Sequence, residues 1–327
     1  MLRKILVVTL LISLMTACAP QATPTTAPLA TEIPATEALA TQAATESAVA
    51  NVLTFTDGLG REITLSGPAQ HVVSLAPSNT EILFAIGAGD QVVGRDALSD
   101  FPEAAKNVTD VGSTFDSLNT EQIVSLKPDL VLAAEINTPE QVKQLEDLGL
   151  TVYYLKNPLT LEEMYGNLET VAQLTGHEKE TVTLIESLKA RVAAVDEKIA
   201  PISSRPNVFY ELDATDPAKP YTAGKGTFIT QLIERAGGHN IASDLDGYPQ
   251  ISLEQVVAAD PAFIILGDAR YGVTPESIAQ RPGWENLSAV KNGKVLPFND
   301  DLVSRPGPRL VDALEELAKL LRPELFQ

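Results

Sequence analysis

One short pattern occurs twice in this chain, and the repetition constrains the fold more than any other feature. The first copy runs from Glu121 to Pro128 and the second from Glu254 to Pro261, so that Glu, Gln, Val and Pro recur 133 positions apart. Each copy is predicted to be a short capped helix that ends near the Pro and leads into an apolar strand. The chain is therefore predicted to form two similar α/β lobes, and a cleft between two lobes is a common ligand site.

A second pair of motifs supports the repeat. Thr-Pro dipeptides that end at Pro139 and Pro275 each open a further predicted helix, because Pro is favoured at the first helical position. The repeated Glu121 and Glu254 also have a simple explanation, since the helix dipole stabilises a carboxylate in the first turn by about 0.3–1 kcal/mol. The residues alone leave open whether these two Glu serve a function.

The amino terminus predicts export from the cytoplasm. Arg3 and Lys4 precede the apolar run Ile5–Met15, which is too short to span a membrane, and residues 1–17 are predicted to be a signal peptide. The four residues that end at Cys18 resemble the bacterial lipoprotein signal. This resemblance implies a lipid on Cys18 and an extracytoplasmic protein anchored to the cell membrane. An ordinary secreted protein with a stray cysteine is the alternative.

A segment of low complexity follows the predicted signal. Residues 18–50 are dominated by Ala, Thr, Pro, Glu and Gln, and they contain no aromatic residue, Lys or Arg. Such a composition cannot bury enough apolar surface to offset the entropy lost on ordering. We expect a disordered tether. Cys18 is the only cysteine of the chain, which excludes a disulfide within it.

A long helix is predicted between the two copies of the repeat. The stretch from Glu178 to Ala200 contains no Gly or Pro, and its apolar residues recur three or four positions apart. The predicted fold is α/β, with two Rossmann-like lobes, a ligand cleft between them and a single long backbone helix that joins them. A surface helix on one lobe would show the same periodicity. The predicted divisions are an N-terminal lobe over 51–175, the connecting helix within 176–202 and a C-terminal lobe over 203–327.

The first lobe contains a pattern typical of a helix start. A predicted strand over His71–Leu75 leads into Ser78-Asn-Thr-Glu81. In a capping box of this kind, the Ser and Glu side chains bond the free backbone N–H groups at the start of a helix. We therefore expect a helix that begins here and continues through Ile82–Ile86.

Composition and motifs exclude several classes of function. A formal net charge of −19 disfavours nucleic acid and anionic lipid, and favours a partner with a basic surface. His71, His177 and His239 show no spacing typical of metal ligands, so no metal site is expected. The chain contains no nucleophile elbow, P-loop or dinucleotide fingerprint, and we expect no enzymatic activity.

A few side chains stand where ligands usually bind in α/β proteins. Phe115, Tyr221 and Tyr248 fall in loops that lead towards helix starts, and such loops border the ligand crevice of open α/β sheets. Asp301 and Arg305 lie between the last strand and the terminal helix. Packing within each loop is the plainer explanation for the aromatic residues.

Several motifs together resemble a known family. It is the helical-backbone class of ABC-importer substrate-binding proteins, which capture cobalamin, haem or ferric siderophores. The resemblance extends from Val52 to Phe326. It implies little hinge movement, a lipid anchor in many members, no resident cofactor and a protein that acts as a monomer. The motifs that carry it are Ser74–Glu81, Ser99–Pro102, the two Glu helices, Pro282–Asn286 and Val290–Gly293.

The resemblance also implies roles for individual residues. Glu121 and Glu254 occupy the positions that dock, one on each lobe, onto arginines of the membrane permease. Among members, the chain looks most like the cobalamin receptors. The resemblance therefore places Phe115, Tyr221 and Tyr248 against a corrin ring, and Asp301 and Arg305 at the periphery of the ligand.

The chain departs from the cobalamin pattern in two places. Leu98 and Ala134 stand where those receptors tend to have large aromatic side chains. A receptor for a ferric siderophore or haem is therefore an alternative within the class. Outside it, the alternatives are a secreted enzyme that uses carboxylates in the cleft and an adhesion or sensory module on a stalk.

Overall fold

The structure is a computed structural model that describes residues 52–326. The predicted signal peptide at 1–17, the predicted lipid attachment site Cys18 and the whole of the predicted tether at 18–50 lie outside the described residues. Residues 52–326 belong to one compact unit that contains both lobes.

The N-terminal lobe is a parallel sheet of five strands in the order β5-β4-β3-β6-β7. An antiparallel hairpin, β1 with β2, precedes it. All residues of the interior strand β6 are buried, as expected for a parallel strand covered by helices on both faces. The strands of this lobe are β1 (Leu53–Thr56), β2 (Glu62–Leu65), β3 (Val72–Ser74), β4 (Val92–Arg95), β5 (Thr109–Asp110), β6 (Leu130–Ala134) and β7 (Val152–Leu155). The helices are α1 (Pro77–Ala85), α2 (Thr120–Ser125), α3 (Pro139–Asp147) and α4 (Leu161–Thr175).

A single long helix, α5 (Glu178–Ile199), leads from the first lobe to the second. The second lobe is a parallel sheet of four strands in the order β11-β10-β8-β9. Its strands are β8 (Asn207–Glu211), β9 (His239–Asn240), β10 (Phe263–Leu266) and β11 (Val295–Pro297). Its helices are α6 (Phe228–Arg235), α7 (Leu253–Ala259), α8 (Pro275–Ala279), α9 (Ser288–Lys291), α10 (Asp301–Ser304) and α11 (Leu310–Leu321).

Helix α5 contacts both lobes. It packs on α4 of the first lobe and on α11 of the second. Its apolar face is buried from Ile185 to Ile199, whereas Val182, the fifth residue of the helix, is exposed. Arg191 on α5 also donates hydrogen bonds to Asp312 Oδ1 at 2.6 Å and to Glu315 Oε1 at 2.8 Å on α11. The predicted connecting helix is confirmed, and a helix confined to the surface of one lobe is excluded.

The repeat seen in the sequence is a repeat of structure. Helix α2 begins with the Asn119 side chain accepting a hydrogen bond from the Gln122 N–H, and α7 begins with Ser252 accepting one from the Gln255 N–H. Both predicted caps are confirmed. Each helix then ends in a left-handed residue before its Pro, Lys127 with φ of 50° and Asp260 with φ of 38°. Within residues 52–326 these two are the only residues other than Gly with positive φ.

We expect Ser252→Ala to lower the free energy of unfolding by about 1 kcal/mol, the usual cost of losing a helix cap. The Ser252 hydroxyl accepts from Gln255 N, and the Gln255 side chain accepts from Ser252 N at 3.0 Å, so that both bonds of a capping box are present. Urea unfolding of the variant measures the loss. Ser204→Ala, at an exposed loop position, should leave the unfolding midpoint unchanged.

The predicted capping box at Ser78–Glu81 is wrong. Helix α1 begins earlier, at Pro77, and its N-cap residue Ala76 makes no side-chain capping bond. The fixed φ of proline suits the first helical position, so the helix starts there and both Ser78 and Glu81 lie inside it. Glu81 is buried and pairs with arginines of the other lobe, as described below.

Candidate functional site

A cavity of about 440 Å³ opens between the two lobes. The first lobe contributes residues that follow or end its parallel strands, such as Ala97 after β4 and Ala134 at the end of β6. The second lobe contributes Arg270 after β10 and Asp300 after β11. The carboxyl ends of both sheets therefore meet at one cleft, the usual ligand site of open α/β sheets.

The structure brings three of the five predicted ligand-binding residues to the cavity. Phe115, Asp301 and Arg305 line it. Phe115 comes from the first lobe and is 74% exposed, so its ring is free to contact a ligand. Tyr221 and Tyr248 do not line the cavity, although both are exposed on the second lobe.

The charge of one cleft residue affects the Tyr248 hydroxyl. Desolvation and the nearby Asp300 carboxylate raise the pKa of the Tyr248 hydroxyl. Asp300 lines the cavity, and it accepts a hydrogen bond from the Tyr210 hydroxyl at 2.8 Å. The backbone of Tyr221 pairs with Asp213 and Gln250. Tyr248 is therefore influenced by a carboxylate of the cleft, although it does not line the cavity.

The two positions at which the chain departs from the cobalamin pattern both lie in the cleft. Leu98 and Ala134 line the cavity. Ala134 is buried at the end of β6, so its small side chain leaves room above the sheet. The departures noted in the sequence therefore change the shape of the cleft itself.

Sequence reasoning missed the most exposed aromatic residue of the cleft. Tyr271 is 80% exposed and lines the cavity from the second lobe, opposite Phe115. It ends a 3₁₀ segment that follows β10, and the Arg270 guanidinium lies 5.6 Å from the centre of its ring. The same rule that selected Phe115, an aromatic residue in a loop after a strand, would have found it.

A cluster of ion pairs joins the lobes at the edge of the cleft. Arg305 of the second lobe donates to Asp100 Oδ1 at 2.6 Å and to Glu81 Oε1 at 3.2 Å, both in the first lobe. Its other terminal nitrogen lies 3.2 Å from Asp301 Oδ1. Arg309 donates to Glu81 Oε2 at 2.7 Å and also contacts Oε1. Arg305 lines the cavity as expected, but carboxylates on three sides engage its guanidinium.

Burial raises the pKa of these carboxyl groups, whereas ion pairing lowers it. Burial raises the pKa of Glu81 above its ordinary value, against the opposing effect of Arg309 and Arg305. Asp100 is less buried, and there the hydrogen bond and charge of Arg305 outweigh desolvation and lower its pKa. Arg309 also stacks on Phe101, with its guanidinium carbon 4.0 Å from the ring centre. The cluster thus combines charge with apolar packing.

The predicted docking residues are on the surface of α2 and α7. Glu121 and Glu254 are both exposed, and neither forms an ion pair with another described residue. The backbone N–H of Glu254 and the Ser252 hydroxyl lower the pKa of Glu254. One turn further along each helix an exposed valine follows, Val124 and Val257. Each helix therefore presents one carboxylate beside one apolar side chain.

Between residues 52 and 326, no three His, Cys, Asp or Glu side chains are grouped so that they could bind a metal ion. None of the helices described for this part of the chain combines the length and the apolar character needed to span a membrane.

Comparison with known proteins identifies the family. A family described as periplasmic binding protein matches residues 72–302. The chain belongs to this family. An uncharacterised ABC transporter substrate-binding lipoprotein of Bacillus subtilis is 36% identical over 84% of this chain and 87% of its own length.

Solved structures agree with the fold. The periplasmic vitamin B12 binding protein of Vibrio cholerae is 30% identical, with a TM-score of 0.66 over 80% of this chain and 99% of its own. The periplasmic haem-binding protein of a Roseiflexus species is 28% identical, with a TM-score of 0.70 over 79% of this chain and 99% of its own. The receptor is thus an extracytoplasmic ABC transporter substrate-binding protein of the class that binds vitamin B12, haem or iron siderophores, a transport family.

Proposed function

We propose that this receptor captures a corrinoid in the cleft and delivers it to an ABC permease, and that a lipid on Cys18 anchors it to the membrane. The observation that carries the ligand assignment is the pair of exposed aromatic rings, Phe115 and Tyr271, on opposite lobes of one cavity. Two such rings provide apolar contact to the two sides of a large planar chelate.

The charges of the cleft favour a corrinoid over an anionic chelate. Asp100, Asp300 and Asp301 line the cavity, whereas its two guanidiniums, Arg270 and Arg305, are already paired with carboxylates. Carboxylates accept hydrogen bonds from amide N–H groups, which surround a corrin ring, and they repel the carboxylates of haem. We assign ligand contact to Phe115 and Asp301, and we extend it to Tyr271. Tyr221 and Tyr248 would border the part of the bound ligand that extends beyond the cleft.

Haem is the second candidate, and one observation favours it. Tyr271 presents an exposed phenol at the cleft, and tyrosine is a known axial ligand of haem iron. Leu98 and Ala134 leave space that a corrinoid receptor would fill with aromatic side chains. The absorbance spectrum of haem tests this second candidate. Ligation of the iron by Tyr271 would change the spectrum of added haem, and Tyr271→Phe would abolish that change.

Titration of the purified protein with cyanocobalamin, haemin and a ferric siderophore tests the proposal. We expect cyanocobalamin to bind with a Kd below about 10 μM, which corresponds to roughly −7 kcal/mol. Phe115→Ala should weaken binding about fivefold, since stacking on one aromatic ring contributes about 1 kcal/mol. Leu148→Ala, an exposed apolar position that does not line the cleft, is the control. A Kd for cyanocobalamin above 10 μM, or equal effects of the two variants, would reject the corrinoid assignment.

A further inference from the structure

A second cavity, of about 430 Å³, lies beside the cleft on the C-terminal lobe. Tyr271 lines both cavities, so the two spaces adjoin at its side chain. We call this cavity the side pocket; the residues that define it here are Leu212, Asp213, Thr215, Asp268, Tyr271 and Val273. It lies at the carboxyl ends of β8 and β10, where parallel strands place their ligand-binding loops.

Two buried acids meet at the inner end of the side pocket. Glu211 is the last residue of β8, and it is paired in register with Leu266 of the neighbouring strand β10. Asp268 follows two residues after Leu266 and lines the side pocket. Glu211 is 0% exposed and Asp268 is 4% exposed. The sheet therefore holds two carboxyl groups together away from bulk water.

These acids lack the hydrogen bonds that buried carboxyl groups require. Arg281 donates to Glu211 Oε2 at 2.6 Å, but Glu211 Oε1 and Asp268 Oδ1 have no partner among residues 52–326. A buried acceptor without a donor is strongly unfavourable, so such groups in folded proteins normally have an explanation. Either a proton shared between the two acids or a donor from a bound molecule would satisfy them.

The surrounding charges bring the shared proton close to release near neutral pH. One guanidinium, Arg281, faces two carboxyl groups, and burial together with the Glu211 charge raises the pKa of Asp268 to about 7. Protonated Asp268 can donate to Glu211 Oε1, whereas ionised Asp268 cannot. Once the proton leaves, both oxygens need a donor from elsewhere.

The other charged or titratable groups around Asp268 do not replace that donor. Asp213 at the rim of the side pocket is held by the backbone and hydroxyl of Thr215. On the side towards the cleft, the Tyr210 hydroxyl donates to Asp300, and Arg270 pairs with Asp301. Arg281 is engaged with Glu211. None of these groups is therefore left to bond Asp268.

We propose that the side pocket is a subsite for a hydrogen-bond-donating nitrogen, a primary amide at the edge of the corrinoid in the cleft, with Asp268 as the acceptor. Glu211 is a positioning residue that holds Asp268 and shares its proton before the ligand arrives. On binding, the ligand N–H donates to ionised Asp268 and the displaced proton goes to solvent. The proposal rests on the proposed function, because it assumes that the molecule in the cleft carries amide groups.

The dependence of affinity on pH tests this subsite. Because the ligand binds best to ionised Asp268, the affinity of the wild-type protein for cyanocobalamin should rise at least tenfold between pH 5.5 and pH 8.5. Asp268→Asn keeps the shape of the side chain and can donate to Glu211, but it cannot ionise, so its affinity should be the same at both pH values. Asp244→Asn removes an exposed acid of the same lobe that lines neither cavity, and it should keep the wild-type profile.

A modified ligand gives a second measurement. The ligands to compare are derivatives of cyanocobalamin in which one edge amide has been hydrolysed to a carboxylate. The derivative whose carboxylate enters the side pocket should bind the wild-type protein at least tenfold more weakly than cyanocobalamin does at pH 8.5. The loss should be smaller in Asp268→Asn, because the repelling charge is absent. Near-UV circular dichroism confirms that the variant is folded.

The outcomes separate the subsite from the function on which it rests. If cyanocobalamin binds equally well at both pH values, or if Asp268→Asn keeps the wild-type profile, the subsite is rejected and corrinoid binding stands. If cyanocobalamin binds at neither pH, corrinoid capture is rejected and the subsite with it.

Discussion

Replacing Glu81 with Ala is expected to lower the free energy of unfolding by about 3–5 kcal/mol, the cost of removing one partner from a buried ion pair. Glu81 is 2% exposed and is the shared acceptor of Arg305 and Arg309. Its removal leaves two largely buried guanidiniums, of which only Arg305 keeps other carboxylates, Asp100 and Asp301. The change is large because the remaining charges stay out of water.

Urea unfolding of the purified variant at pH 7 measures this effect. Glu169→Ala provides a matched control, because it removes a carboxylate from an exposed position of helix α4 and should change the free energy by no more than about 0.5 kcal/mol. Glu81→Gln keeps the volume of the side chain and one acceptor oxygen, so its loss of unfolding free energy should lie between those of Glu81→Ala and Glu169→Ala. A loss below 1 kcal/mol in Glu81→Ala would show that the ion cluster contributes little to stability.

The second large effect concerns transport. The double variant Glu121→Ala/Glu254→Ala should reduce uptake of cyanocobalamin at least tenfold while its affinity for the ligand stays within twofold of the wild type. Both carboxylates are exposed and have no ion-pair partner within the described chain, so they remain available to basic residues of a permease. Complementary charges of this kind mainly accelerate and orient the encounter of two proteins.

Uptake by cells that contain the receptor and its cognate permease is the measurement. The chain offers a close control, because Glu140 and Glu276 also lie in the first turns of capped helices, α3 and α8, one in each lobe. Glu140→Ala/Glu276→Ala removes the same charge and should transport normally. An equal loss of uptake in both double variants would show that net charge is responsible. Normal uptake in Glu121→Ala/Glu254→Ala would reject docking through these two residues.

Local patterns predicted the elements of this fold well. The repeat at Glu121 and Glu254 gave α2 and α7 with their caps, because capping depends on residues three positions apart. The spacing of apolar residues predicted helix α5. The same local reasoning failed at Glu81, where a Ser-x-x-Glu pattern matched a cap but Pro77 had already started the helix.

The site was only partly predictable, for a physical reason. Loops after strands are recognisable in a sequence, so Phe115 and Asp301 could be placed at the cleft. Which charges pair across the cleft depends on packing between residues more than 200 positions apart, as for Glu81 and Arg305. Likewise, Asp268 and Glu211 meet only because β8 and β10 are neighbours in the sheet.

The ion pairs around Glu81 and the helix α5 together restrict movement of the two lobes relative to each other. The lobes are tied at two separate places, by the backbone along α5 and by side chains that cross directly from one lobe to the other. A rotation that widened the gap would have to pull Glu81 away from Arg305 and Arg309. Such an opened arrangement would be a minor state, and a molecule that bound the opened lobes better than the closed ones would raise its population.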